Sequence, residues 1–183
     1  MKPKAIIFDF FGVICTNVAG NWFKKHLPRG DALFIHDTMR HADLGKESEQ
    51  EIFSKLATVA SVNHDVREHW LSDATINQEL IAVIRELKKS YKLAVCTNAP
   101  ADFFRTVLKG NDIEKLFDVI VVSSEVGLVK PEKEIFELVC KKLEVSFDEA
   151  VFVDDSEMNV KKAKDLGMQG IFFSSHEQLF PYL

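Results

Sequence analysis

Five short apolar runs punctuate this chain, and each stops at a polar residue. Ala5-Ile6-Ile7-Phe8 stops at Asp9, Leu93-Ala94-Val95-Cys96 at Thr97-Asn98, and Val119-Ile120-Val121-Val122 at Ser123-Ser124. Ala150-Val151-Phe152-Val153 stops at Asp154-Asp155, and Gly170-Ile171-Phe172-Phe173 at Ser174-Ser175. Uninterrupted apolar runs of this length predict strands buried on both faces of a parallel sheet. Helical periodicity fills the intervals at 76–90, 131–143 and 158–166, the last stopped by Gly167. Pro131 suits a first helical turn, where its missing N–H costs nothing. The alternation predicts an α/β, doubly wound fold. Ligands of such sheets bind at the carboxyl ends of the strands, where every polar stop falls.

Residues 17–74 break the alternation. Helices are expected at 21–27, 32–41, 48–60 and 66–71, separated by Pro28-Arg29-Gly30 and Leu44-Gly45-Lys46. Ser48 and Glu51 have the spacing of a capping box. The expected organisation is an α/β core of residues 1–16 and 75–183, with a helical cap of residues 17–74 over the sheet's C-terminal edge.

Hydrophobic residues make up 46% of the 183, enough for a packed core. A formal net charge of −5 argues against a nucleic-acid partner. No apolar run reaches the length of a membrane span, so no membrane partner is expected. Asp9 interrupts the N-terminal apolar stretch, which therefore does not read as a signal peptide. Cys15, Cys96 and Cys140 lie far apart in apolar surroundings, with no Cys or His at metal-ligand spacing. They read as reduced, buried thiols of a cytoplasmic protein.

Four polar strand ends carry the candidate chemistry. Asp9 ends a buried strand, where a carboxylate needs a partner or caps a turn. Thr97 and Asn98 can donate hydrogen bonds to phosphate oxygens, or satisfy a turn. Lys130 precedes a helix N-terminus, which favours anions rather than cations. It either holds an anion or is simply solvated. Asp154 and Asp155, with Asn159 nearby, repel each other and call for a cation, or else one caps a helix.

Together, IIFDFFGVI, AVCTNA, GLVKPEKEIF and VFVDDSEMNVKKAKDLGMQGIFF resemble the four motifs of the haloacid dehalogenase superfamily. The resemblance covers residues 1–17 and 76–175. DLGKESEQEIF is similar to cap segments of the branch containing epoxide-hydrolase N-terminal domains. It implies a Rossmann-like core and a magnesium-dependent phosphatase of a small phosphorylated molecule. Asp9 is then the nucleophile, forming an aspartyl-phosphate, and Lys130 neutralises charge between it and the phosphate. Thr97 binds phosphoryl oxygens, Asn98 supports that loop, and Phe10 and Phe11 lie beside the substrate. Mg2+ is held by Asp9, Asp155, the backbone carbonyl of Phe11, and Asp154 directly or through water.

One position departs from the pattern. Phosphatases of the superfamily usually carry an acid two residues after the nucleophile, and here Phe11 stands there. Acid–base catalysis, worth about 10²- to 10⁴-fold, is thereby brought into question. A second reading is a module that binds a phosphorylated ligand or a protein without turnover. A third is a metal-free dehalogenase, against which Asp154-Asp155 speaks. His26, His36, His41, Asp37 and Asp43 of the helical segment are alternative proton donors that sequence does not separate. Trp22 and Phe23 line a pocket or pack the cap, and packing is expected.

Overall fold

The computed structural model describes residues 3–27 and 32–183. The expected break at Pro28-Arg29-Gly30 lies outside them. Strands β1 (Ala5–Phe8), β2 (Lys92–Thr97), β3 (Val119–Val122), β4 (Ala150–Asp154) and β5 (Gln169–Phe172) are the five apolar runs, within one residue at each end. They form one sheet in the order β3-β2-β1-β4-β5, and every neighbouring pair is parallel. Ala5 pairs with Lys92 on one side and Ala150 on the other. That register sets the carboxyl ends of β1, β2 and β4 side by side.

Burial follows position in the sheet. β1 and β4 are buried throughout. Ile6 and Phe8 face one hydrophobic cluster, and Ala5 and Ile7 face the other, as the two-residue period of a strand requires. β5 departs from the expectation: none of its four residues is fully buried, and Phe172 is exposed. It is an edge strand, paired on one side only, with β4.

The cap region contains α1 (Val18–His26), α2 (Ala32–Asp43), α3 (Glu49–Val59) and α4 (Val66–Asp73). The Ser48/Glu51 capping box forms, with each side chain bonded to the other residue's backbone N–H. The chain leaves and re-enters the sheet layer side by side. Thr16 N–H donates to the Thr75 carbonyl at 3.0 Å, and Asn77 N–H to the Ile14 carbonyl at 2.9 Å. Trp22, Ile52, Leu56 and Trp70 of these helices share one apolar cluster with Phe10, Phe103 and Phe104. Trp22 is therefore a packing residue, as expected, and Phe23 packs against the same cluster.

The remaining helices are α5 (Gln78–Leu87), α6 (Ala101–Gly110), α7 (Ser123–Val126), α8 (Lys133–Leu143) and α9 (Glu157–Asp165). The helix expected from residue 76 begins later, because the Asn77 side chain accepts from Leu80 N–H and caps it. Pro131 is not in the first turn of α8. The helix begins at Lys133, and Pro131 follows a cis peptide bond in the preceding loop. No helix among the described residues is long and apolar enough to cross a membrane. All three cysteines are buried and free, and burial pushes their thiols up to about 12.

Gly45, in the turn between α2 and α3, marks a close approach of the helical segment to the sheet layer. Its φ is +65°, and an added Cβ would lie 2.6 Å from the Ser124 carbonyl oxygen in α7. Backbone cannot swing aside as a side chain can. Gly45→Ala is expected to destabilise the fold by more than about 1 kcal/mol, read from urea denaturation. An unchanged midpoint would contradict this contact.

Candidate active site

At the carboxyl edge of the sheet, Lys130 lies between two carboxylates. Its Nζ is 2.8 Å from Asp9 Oδ1 and 2.7 Å from Asp154 Oδ2. The three residues are 5%, 7% and 0% exposed. β1 and β4 are neighbours, so Asp9 and Asp154 leave the sheet next to each other. Lys130 reaches them from the loop before α8 because its backbone is clamped. Asn98, just past β2, accepts from Lys130 N–H at 2.9 Å and donates to the Lys130 carbonyl at 3.0 Å. Asn98 was expected to support its own loop beside Thr97; this two-bond bridge ties it instead to the backbone of Lys130.

Asp154 is held on both oxygens. Ser156 N–H donates to Oδ1 at 2.8 Å, and Asn159 Nδ2 lies 3.1 Å from each oxygen. Asp9 accepts from Phe10 N–H at 2.7 Å, also on Oδ1. Asp155 is half-buried and accepts from Asn17 Nδ2 at 3.2 Å. Asn17 also caps α1, accepting from Gly20 N–H at 2.9 Å. This residue therefore couples the helical segment to Asp155. Gly12 makes room beside Asp155: its φ is +99°, and an added Cβ would lie 2.1 Å from Asp155 Oδ2.

The electrostatics follow from the count of charges. Three carboxylates and one ammonium meet in a space closed to most solvent. Burial pushes the Asp9 carboxyl up to about 7, against the attraction of Lys130 and with the repulsion of Asp154. Burial also works against the Lys130 ammonium, but Asp9 and Asp154 hold its pKa above the ordinary lysine value. The two shifts differ in origin: desolvation dominates at Asp9, whereas attraction by two carboxylates outweighs desolvation at Lys130. Burial and then Asp154 raise the Asp155 carboxyl, against the Asn17 hydrogen bond.

The chemistry of the donor set fits a hard divalent cation. Asp9, Asp154 and Asp155 each offer one oxygen within 4.8 Å of the other two. A dication would balance the two surplus negative charges. Asp154 already has both oxygens engaged, which favours the water-mediated form of its expected role. The Thr97 hydroxyl is buried and has no hydrogen-bond partner among the described residues. An orphaned hydroxyl of this kind is costly unless a ligand completes it.

The sequence-predicted residues divide clearly. Asp9, Asn98, Lys130, Asp154 and Asp155 form one connected cluster, with Thr97 one residue from Asn98. Phe10 is fully buried and stacks edge-on against Phe104 at 4.9 Å, so only its backbone faces the site. Phe11 is half-buried and lines a cavity of about 160 Å³ together with Asp9 and Lys130. Val18, Met39, Trp70, Pro100 and Phe103 complete its apolar wall. Asn17 was not singled out from sequence. An Asn before a helical segment signals a cap, and nothing local reveals its second bond to Asp155.

A parallel α/β sheet with a buried Asp–Lys–Asp cluster on its carboxyl edge defines a class of hydrolase, and comparison with known proteins agrees. The sequence pattern of haloacid dehalogenase-like hydrolases matches residues 3–167, and the chain belongs to that family. It is 36% identical to the sesquiterpene phosphatase astK of Aspergillus oryzae over 177 residues, covering 92% of this chain and 88% of that protein. It is 23% identical to the pyrophosphatase PpaX of Bacillus cereus, covering 91% and 81%. A family enzyme of Bacteroides thetaiotaomicron, solved in complex with magnesium and inorganic phosphate, has the same fold. That likeness has a TM-score of 0.75 at 21% identity and covers 97% of this chain and 99% of the other.

A raised carboxyl pKa gives stability a defined pH slope. Asp9 binds its proton more tightly folded than unfolded, so its contribution is full below its ordinary 3.8 and is lost as pH rises through about 7. Asp9→Asn removes that slope. Without metal, this variant is expected to melt above wild type at pH 8, with the gap closing toward pH 4. Parallel melting curves at all pH values would contradict the burial of Asp9 charge.

Proposed function

We propose that this chain is a magnesium-dependent phosphatase of a small organic phosphate, acting through an aspartyl-phosphate on Asp9. The observation that carries the reading is the Asp9–Lys130–Asp154 cluster, with Asp155 and the orphaned Thr97 hydroxyl at the same sheet edge. The phosphatase relatives support it, as does the magnesium and phosphate complex of the Bacteroides enzyme.

In this reading Asp9 attacks phosphorus and carries the phosphoryl group until water removes it. Its protein hydrogen bonds fall on Oδ1, which leaves Oδ2 as the attacking atom. Lys130 offsets the negative charge that brings carboxylate and phosphate into repulsion. Thr97 donates its hydroxyl to a phosphoryl oxygen. Asn98 and Asp154 hold Lys130 in place, and Asn159 holds Asp154. Asp9, Asp155 and the Phe11 carbonyl would hold magnesium, with Asp154 acting through water. When bound, the metal supplies further neutralisation of the phosphate charge.

Residues 17–74 act as a cap that reads the organic part of the substrate. Val18, Met39 and Trp70 of that segment meet Phe11 and Phe103 around a cavity whose walls are mainly apolar. At about 160 Å³ it is smaller than the ~300–1,000 Å³ of common ligand sites, and it suits a compact apolar group. The name of the Aspergillus relative, a sesquiterpene phosphatase, is in keeping with an apolar alcohol.

Phosphate release from p-nitrophenyl phosphate, with and without magnesium, tests the reading. Wild type is expected to turn over only with the metal. Asp9→Asn should lose activity by a factor on the order of 10⁴ or more. Asp155→Ala should require more magnesium for half-maximal rate. Full activity in Asp9→Asn would refute the aspartyl-phosphate.

Magnesium binding itself is measurable by titration calorimetry. Asp155→Ala is expected to bind at least tenfold more weakly than wild type, since one carboxylate leaves the donor set. Equal affinities would remove Asp155 from the metal site.

A further inference from the structure

We propose that Asp43, in the last turn of α2, is the general acid and base of this site, supplied from the cap because Phe11 can carry no proton. The inference rests on the phosphatase reading and concerns the proton that reading leaves unassigned. An alkyl phosphate cannot expel an alkoxide readily, and the aspartyl-phosphate needs an activated water. Both needs are met by one group that gives a proton and then takes one.

The candidates can be worked through by what each already does. Asp154 accepts from Lys130, Ser156 and Asn159. Lys130 is tied to two carboxylates, and its pKa is held upward, so it does not release a proton near neutrality. Arg40 bonds Glu132 at 2.6 Å and is permanently charged. His36 is exposed and lies 3.1 Å from Asp37, while His41 lies 2.7 Å from Glu47. His26 stacks on Trp22 at 4.9 Å, within the helical segment. Its Nε2 is closed to solvent and unpartnered, but it lies among Trp22, His64 and His69 and lines neither cavity beside Lys130.

Asp43 differs from all of these in where its unpartnered atom lies. Its Oδ1 is closed to solvent and has no hydrogen-bond partner among the described residues. It lines a cavity of about 390 Å³ together with Met39, Asn98, Lys130 and Asn159. Those same four residues also wall the cavity that holds Asp9 and Phe11. The two cavities therefore adjoin across a shared wall, with Asp43 on one side and Asp9 on the other. No hydrogen bond joins Asp43 to Asp9, Asp154 or Asp155 among the described residues. An unpartnered carboxyl oxygen in such a place costs stability, which a reacting ligand or water would recover.

Its charge environment suits the task. Burial pushes the Asp43 carboxyl up to about 7, Lys130 and Arg40 pull it down, and Asp9 pushes it up. A carboxyl that is protonated and ionised in comparable amounts near neutrality can serve in both directions.

The steps balance. Asp9 bonds to phosphorus, the ester P–O bond breaks, and the departing alcohol oxygen takes the proton of Asp43. The Asp43 carboxylate then takes a proton from water as the water oxygen bonds to phosphorus. The bond from phosphorus to Asp9 breaks, inorganic phosphate leaves, and Asp43 is again protonated.

The test compares p-nitrophenyl phosphate with butyl phosphate, using the full chain, magnesium and rapid quenching. Asp43→Asn should lower butyl phosphate hydrolysis by about 10²- to 10⁴-fold. With p-nitrophenyl phosphate it should still release a burst of about one nitrophenol per enzyme, then turn over slowly as phospho-enzyme accumulates. Asp43→Glu keeps an acid and should recover part of the butyl phosphate rate, which separates proton transfer from a fold defect. Wild-type rates on both esters in Asp43→Asn would overturn the inference alone. So would an equal fall on both esters without a burst. A wild type that hydrolyses neither ester would overturn this inference and the phosphatase reading together.

Discussion

The Lys130 ammonium between Asp9 and Asp154 is the interaction on which the rest of this site depends. Charges are costly to bury, and a buried carboxylate persists only with close partners. Here the partners come from four separate places in the chain: the ends of β1 and β4, the loop before α8, and α9 through Asn159. Asn98 adds a fifth by gripping the Lys130 backbone on both its N–H and its carbonyl. Removing the ammonium would leave two buried carboxylates facing each other, a loss on the order of 3–5 kcal/mol for a broken buried pair. The cluster also remains short of positive charge, which is the physical reason the site suits a divalent cation.

The helical segment completes the site from above. Asn17 reaches Asp155, Met39 and Trp70 wall the apolar cavity, and Asp43 stands across shared residues from Asp9. Phe11 belongs to this apolar wall, tilted against Phe103 at 5.6 Å. A position that carries an acid in many family phosphatases is thus spent here on packing and pocket shape. The opposite exchange is seen in α2, where a carboxyl with an unsatisfied oxygen shares a cavity with Met39, Asn98, Lys130 and Asn159. These two anomalies are best read as one redistribution of roles between sheet and cap.

Much of the fold was legible because a parallel sheet buries its central strands on both faces. β1, β2 and β4 stand out as apolar runs for that reason, and their ends were placed to within a residue. The same rule misjudged β5, whose apolar run lies at an edge and stays partly exposed. α6 begins after Pro100 among aromatic residues that also fit a strand, and it was not anticipated. α7 spans only Ser123–Val126, too short for any periodicity. Pro131 was drawn into α8 by its compatibility with a first helical turn, although the chain enters that helix two residues later. Local preference allows both placements, and the need to deliver Lys130 to the sheet edge selects one.

By itself, the sequence determined the strand set, the helical interruption and the polar residues that close each strand, because these depend on composition and spacing along the chain. It also determined that Phe11 removes a proton donor from the first loop. Only the tertiary structure decided which polar residues meet. Asp9 and Lys130 are 121 positions apart in number, and their 2.8 Å contact exists because β1 lies between β2 and β4. The distinction among His26, His36, His41, Asp37 and Asp43 was likewise invisible in sequence. Four lie on predicted helices and Asp43 two residues beyond one, and helical spacing does not say which face meets the sheet. Packing of α2 against the sheet layer leaves the Asp43 oxygen enclosed beside Lys130, and it is that enclosure, a property of three dimensions, that gives one carboxyl a different chemistry from its neighbours.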